Sequence, residues 1–197
     1  YGATVLSAAD DISLNKLGLI PFKYDMLVAR LVPENSIETI LEGVQRAGGT
    51  RPLLVVGNHA SKYGNYLKDR FSTCPAIRFM GGIYDQKLLS DIRYFSNIYF
   101  HGHTVGGTNP SLLEAMACSS LVCAHDNVFN RAILNDDALY FSDASDVLKV
   151  LKETVRKDHE GRIERNRHKI RDIYAWPKIV QQYVAHFKDI ALSERTR

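Results

Sequence analysis

The 197-residue sequence has little cysteine, a single tryptophan and almost no excess of either charge. Its three cysteines, Cys74, Cys118 and Cys123, have neither metal-ligand nor redox spacing. An odd number of them, two in apolar surroundings, reads as reduced core thiols in a cytosolic chain. Lys plus Arg number 25 against 22 Asp plus Glu, for a net charge of +3. That excludes a strongly basic nucleic-acid binder and an acidic solvating tail. Every apolar run is shorter than ten residues, too short to cross a bilayer as a helix, and no charged start followed by an apolar stretch marks a signal peptide. No Gly-x-Gly-x-x-Gly follows the first apolar run and no P-loop occurs, which argues against a dinucleotide dehydrogenase and a phosphate-loop ATPase. There are no repeats and no low-complexity tract. The first residue is Tyr1 rather than Met, so an excised piece of a longer chain is expected.

What is present is an alternation. Short, β-rich apolar runs occur at 26–29, 53–56, 77–80, 98–100 and 121–124, with a weaker one at 138–141. They are unalternated, as expected of parallel strands covered on both faces. Between them lie helical stripes: Ile37, Ile40, Leu41 and Val44 on one face, and Leu88, Leu89, Ile92 and Phe95 on another. Ser36 with Thr39 offers a start to the first of these helices, and Gly48-Gly49 a stop. Strand–helix repetition predicts an α/β fold, a Rossmann-like parallel sheet of about six strands with helices on both faces. The expected organisation is one domain over 1–197, with an irregular lead-in over 1–23 and helices alone over 146–197. In that last stretch Gly161 is expected to interrupt, and Trp176-Pro177 to bend the chain into a final helix over 179–191. Nine basic and five acidic residues between Lys152 and Lys178 give a local excess of +4. That excess reads as a solvated helix face, with contact to anionic lipid as the lesser reading.

Parallel sheets bind ligands outside the carboxyl ends of their strands, so the loops after strands carry the candidates. The sharpest runs from His101 to Met116. Asn109 suits a helix cap and Pro110 the first helical position. Gly106 and Gly107 free the backbone to approach a ligand, and the amides near Thr108 and Asn109 offer donors to an anion or a sugar hydroxyl. Glu114, about one turn into the helix, is an acceptor-only carboxylate among apolar neighbours. A plain strand-to-helix turn with a solvated Glu114 is the competing reading. Arg30, at the end of the first strand, can reach a phosphate with a forked bond; otherwise it pairs with Glu34 or Asp25. Gly81-Gly82 allows a flat ligand close to the backbone with Tyr84 stacked on it; otherwise Tyr84 sits in the core. His59, His101 and His103 lack ligand-pair spacing, so they read as loop hydrogen-bonding groups and no metal is implied.

Taken in order, the run from Val28 to Glu34, Gly57 after the second strand, the Gly81-Gly82 turn and the segment Asn109-Pro110-Ser111-Leu112-Leu113-Glu114-Ala115-Met116-Ala117 resemble the nucleotide-sugar-binding C-terminal lobe of retaining, group 1 (family 4) glycosyltransferases of the two-lobed GT-B fold. The wording from His103 to Glu114 looks most like bacterial rhamnosyltransferase-type enzymes of surface polysaccharide synthesis. The resemblance spans Tyr24 to Trp176. It implies that Arg30 binds the donor diphosphate, with Asn35 where the family carries a partner lysine. It also implies that Glu114 holds the ribose, with Gly106 where a first glutamate would face the sugar. Ile83 falls where backbone groups meet the base, with Tyr84 beside it. The implied donor site is thus Arg30, Asn35, Ile83, Tyr84, Gly106, Gly107, Thr108, Asn109 and Glu114. No catalytic residue is expected in this piece, since acceptor site and catalytic histidine belong to the other lobe. The substrate implied is a nucleoside-diphosphate sugar, with no further cofactor. The acceptor is a saccharide or lipid-linked saccharide, and the location is the cytoplasm or the inner membrane face. Two rivals stay open: a nucleotide-sugar epimerase of the same architecture, and a non-catalytic nucleotide-binding module.

Overall fold

The computed structural model describes residues 1–49 and 51–195. Six strands, β1 (Asp25–Val28), β2 (Leu53–Val56), β3 (Ile77–Gly81), β4 (Tyr99–His101), β5 (Val122–His125) and β6 (Leu139–Phe141), form one sheet in the order β3-β2-β1-β4-β5-β6. Every pairing is parallel. A short helix, α1 (Ile12–Asn15), precedes the sheet. The connections are α2 (Ile37–Arg46), α3 (Lys62–Arg70), α4 (Gln86–Tyr94), α5 (Pro110–Ala117) and α6 (Val128–Leu134); α7 (Ala144–Glu153), α8 (Glu160–Asp172) and α9 (Trp176–Arg195) follow β6. The parallel sheet of six strands and the helical end are as the alternation predicts.

The strands are apolar throughout because each feeds two cores. Met26, Leu54, Val56, Tyr99, Val122 and Ala124 pack on one face with Leu89 and Ile92 of α4, Leu112 and Met116 of α5 and Ile133 of α6. Leu27, Leu53, Val55, Phe100 and Cys123 pack on the other with Ile37, Ile40 and Val44 of α2, Leu67 of α3 and Val147 of α7. Adjacent residues of one strand point to opposite layers, as the period of two requires. Fully burying a Leu or Ile side chain stabilises by about 1.5–3 kcal/mol, so both layers hold the sheet.

The helices that follow strands start alike. Ser61, Asp85, Asn109, Asn127 and Asp143 each accept hydrogen bonds from first-turn N–H groups of the helix they precede. Such caps contribute about 1 kcal/mol each, and they gather helix N-termini along the carboxyl edge of the sheet. α2 departs from this. Ser36 stands at its start but has φ of 45° and makes no cap bond, because it also closes the 3-10 turn Pro33–Asn35. At its other end Gly48 and Gly49 take positive φ and stop the helix, as expected.

Three expectations about the ends need correction. Gly161 does not interrupt a helix; it lies in the first turn of α8, which begins at Glu160. The final helix starts at Trp176 rather than 179, with Pro177 in the first turn, where a missing N–H leaves no bond unmade. The lead-in is not merely irregular: Ala3 bridges Ala175, and Ala3, Leu14 and Leu19 are buried in the first core.

Candidate functional site

In this strand order the chain builds outward from β1 to β3, then crosses back to lay β4 on the other side of β1. The loops after β1 and β4 therefore diverge and leave a cleft at the carboxyl edge. A crevice of about 1040 Å³ lies there, lined just after β1 by Ala29 and Arg30, from the turn before α2 by Glu34 and Asn35, just after β2 by Gly57, just after β3 by Gly82, Ile83 and Tyr84, from the β4–α5 loop by His103, Val105 and Asn109, and at the start of α5 by Pro110.

Two glycines let these loops converge. A Cβ on Gly57 would stand 2.0 Å from the Ala29 carbonyl oxygen, and one on Gly102 would stand 2.1 Å from that of Asn35. No other residue fits at such approaches without moving the backbone. Asn35 is buried and donates from its side-chain nitrogen to the Arg30 carbonyl at 2.7 Å. It thus fixes the turn that carries Arg30 instead of facing the crevice with charge. Thr104 donates from both its N–H and its hydroxyl to the Glu34 carbonyl, at 3.0 and 2.8 Å. This ties the β4–α5 loop across the crevice to the turn after β1.

Arg30 is exposed at the crevice wall. Asp25, one of its alternative partners, is buried and bonded to Arg51 at 3.2 Å. Among the described residues no carboxylate lies within ion-pair distance of Arg30. Tyr84 is 84% exposed at the crevice, so it is not a core residue. Asn109 caps α5, its side-chain oxygen accepting from the Ser111 N–H at 3.0 Å, and Pro110 is the first helical residue, both as predicted. Gly106, Gly107 and Thr108 form the exposed tip of the loop between Val105 and Asn109, and Gly106 has φ of 105°.

Glu114 is placed elsewhere. It lies in a separate cleft of about 120 Å³ with Tyr1, Gln86, Ser90, Arg93 and Trp176. Arg93 is fully buried and donates to one carboxylate oxygen at 2.6 Å, and the Tyr1 hydroxyl donates to the other at 3.1 Å. Sequence reasoning missed Arg93, whose only signal was a basic residue in an otherwise apolar helix stripe.

The histidines are distinctive. His101 is buried, with neither ring nitrogen bonded among the described residues. His103 stacks on it with ring centroids 4.4 Å apart and planes at 11°. Burial, and then the neighbouring His103, hold His101 well below the usual imidazole range. Burial, and then the Arg30 charge, bring His103 down to about 4. Both rings are neutral at pH 7. Among the described residues no group of three or more His, Cys, Asp or Glu side chains is arranged to hold a metal ion.

The basic run of α8 is largely paired inside the molecule. Arg165 and Lys169 bind Asp137 at 2.6 and 2.9 Å, and Arg167 and Arg171 bind Glu164. Among the described residues no helix is long and apolar enough to cross a membrane.

No protein-family model matches the chain, and no curated protein matches it in sequence. Solved structures match it in fold. A glycosyltransferase from Rickettsia africae is 14% identical with a TM-score of 0.76, over 92% of this chain and 51% of that one. HepE of Anabaena in complex with UDP-glucose is 12% identical with a TM-score of 0.79, over 91% and 52%. Sucrose-phosphate synthase from Thermosynechococcus elongatus is 16% identical with a TM-score of 0.73, over 94% and 50%. The chain thus spans about half the length of each of these proteins, and its sheet has the fold of one lobe of such glycosyltransferases.

Proposed function

We propose that this chain is the donor-binding lobe of a glycosyltransferase, holding a nucleoside-diphosphate sugar for transfer of a hexosyl group to a saccharide acceptor. The observation that carries the reading is Arg30: a cation with no counterion among the described residues, at the wall of a crevice where the fold places ligands. Fold similarity to a structure holding UDP-glucose supports the ligand class. The narrower reading, a retaining rhamnosyltransferase-type enzyme of bacterial surface polysaccharide synthesis acting at the inner membrane face, rests on the wording from His103 to Glu114.

In this reading Arg30 takes a phosphate through charge-assisted bonds, and the capped start of α5 adds the favourable end of its dipole. The exposed amides of Gly106, Gly107 and Thr108 lie within the same loop for the sugar and distal phosphate. Ile83 offers backbone groups to the base and Tyr84 a face to stack on it. Glu114, in the cleft it shares with Arg93 and Tyr1, accepts from the ribose hydroxyls provided the ribose reaches past Pro110 and Ser111 at the crevice rim towards that cleft. A carboxylate has about four lone-pair directions, and Arg93 and Tyr1 occupy one on each oxygen. Asn35 organises the Arg30 turn. The lobe supplies charge to the departing diphosphate and positions the sugar; the acceptor and the remaining groups belong to a second lobe. Calorimetric titration of the chain with UDP, GDP and dTDP tests the reading. Binding of a nucleoside diphosphate at micromolar to low millimolar strength supports it, and no binding of any of them ends it.

A further inference from the structure

Five features of the β4–α5 loop bear on one residue. His103 lines the crevice. Its ring is held flat against His101. Its backbone carbonyl accepts from the side-chain nitrogens of Asn127 and Asn130, both at 3.0 Å. The next residue is tied across the crevice by the two bonds from Thr104 to the Glu34 carbonyl. Arg30 is near enough to oppose a charge on the ring. With the backbone held on both sides and the ring stacked, the residue presents one nitrogen in one place.

Which nitrogen carries the proton follows from the surroundings. Nδ1 of His103 is buried and has no hydrogen-bond partner among the described residues, whereas Nε2 is not enclosed in that way. A buried N–H without an acceptor costs more than a buried lone pair without a donor. The neutral ring therefore keeps its hydrogen on Nε2, and an N–H donor faces the open side. His101 behind it offers no bond in exchange, since both of its nitrogens are unpartnered among the described residues. The stacked pair gives up hydrogen bonds within the protein, and a ligand anion in the crevice would restore one.

We propose that His103 binds the diphosphate of the donor, its Nε2–H donating to a phosphate oxygen that Arg30 holds from another side. Arg30 supplies the charge and His103 a directional neutral donor, and the stacked His101 keeps the ring in the plane that the bond needs. This rests on the donor-lobe reading and adds to it the residue that recognises phosphate from the β4 side.

The test titrates the folded chain and two variants with UDP, pyrophosphate and uridine. His103→Phe keeps a ring to stack on His101 and removes the donor; His103→Gln returns an N–H near the position of Nε2. His103→Phe should bind UDP and pyrophosphate at least about tenfold and up to about a hundredfold more weakly, the size of one bond to a charged group. His103→Gln should recover part of that loss, and binding of uridine should not change. In the wild-type chain, UDP should shift the long-range ¹⁵N signal of His103 Nε2, a readout that survives if a variant fails to fold. Unchanged UDP affinity in His103→Phe, equal loss for uridine, or an unmoved Nε2 signal overturns the assignment while leaving the donor-lobe reading in place. Failure of the wild-type chain to bind UDP, GDP or dTDP overturns both.

Discussion

Removing Glu114 should cost more stability than removing its partner Arg93, although one ion pair is lost either way. Arg93 is 2% exposed and Glu114 31% exposed. Glu114→Ala leaves a guanidinium inside the protein with one nitrogen, Nε, already unpartnered among the described residues. Breaking a buried pair in this way costs about 3–5 kcal/mol. Arg93 lines the cleft it shares with Glu114, so water can reach the vacated place, and the lower end, about 3 kcal/mol, is expected. Arg93→Met keeps most of the packed stem and leaves a carboxylate that water already touches, for about 1 kcal/mol. The double variant Arg93→Met with Glu114→Leu should recover most of the loss, since neither charge is then stranded. Urea unfolding of the four proteins, read by circular dichroism, measures all three differences. Equal costs for the single variants, or a Glu114→Ala loss below about 0.5 kcal/mol, would refute the asymmetry and with it the idea that Glu114 neutralises a buried cation.

Arg30→Ala should weaken UDP and pyrophosphate binding by about 1.5–3 kcal/mol while leaving thermal stability unchanged, because Arg30 has no ion pair to lose among the described residues; calorimetry and a melting curve check both halves. Gly102→Ala should destabilise by about 1–3 kcal/mol or more, since its methyl would meet the Asn35 carbonyl at 2.1 Å, and it should distort the turn that carries Arg30; urea midpoints read the first effect and UDP affinity the second. Stability should also depend on pH through His103. Its folded pKa, about 4, lies below the unfolded value of 6.5, so the unfolded chain binds the proton first. The contribution is complete above pH 6.5 and is lost as pH falls towards 4, with an upper bound of roughly 3 kcal/mol. His103→Phe should flatten that slope in urea unfolding between pH 7 and pH 4, and an identical slope in the variant would sink the assignment.

The sheet was legible because its signal is local. Runs such as Leu53–Val56 are apolar on both faces, and only a strand between two layers asks for that. Helices with apolar stripes, α2 and α4, were visible for the same reason. α3 was not: its sequence, Lys-Tyr-Gly-Asn-Tyr-Leu-Lys-Asp-Arg, buries only Gly64 and Leu67, and Gly64 packs under the His59 backbone, where a Cβ would approach the carbonyl oxygen to 2.4 Å. A glycine chosen for close approach looks, in sequence, like a helix breaker. α6 was hidden similarly, being seven residues long, with Val128 and Phe129 exposed and Ile133 and Leu134 buried. The cap at Asn109 was legible because capping is decided within three residues.

The site residues divide by the same rule. Arg30, Tyr84 and Asn109 reach the crevice because each sits a fixed, short distance past a strand. Asn35 lies in the turn that carries Arg30, and its bond to the Arg30 carbonyl, five residues away, is not announced by the sequence. Glu114 depends on groups 21 and 113 residues away in sequence, and no local pattern announces them. This long-range pairing changes how the residue must be tested. A carboxylate that neutralises Arg93 can still accept from a ribose, since each oxygen has a second lone-pair direction. Loss of UDP binding in Glu114→Gln would therefore mix a missing ribose contact with a displaced Arg93. The two parts separate by ligand. A direct contact weakens UDP and spares pyrophosphate, whereas a shifted α5 disturbs Asn109 and the loop amides and so weakens both. Equal losses would assign Glu114 to the architecture of the lobe and remove it from the ribose.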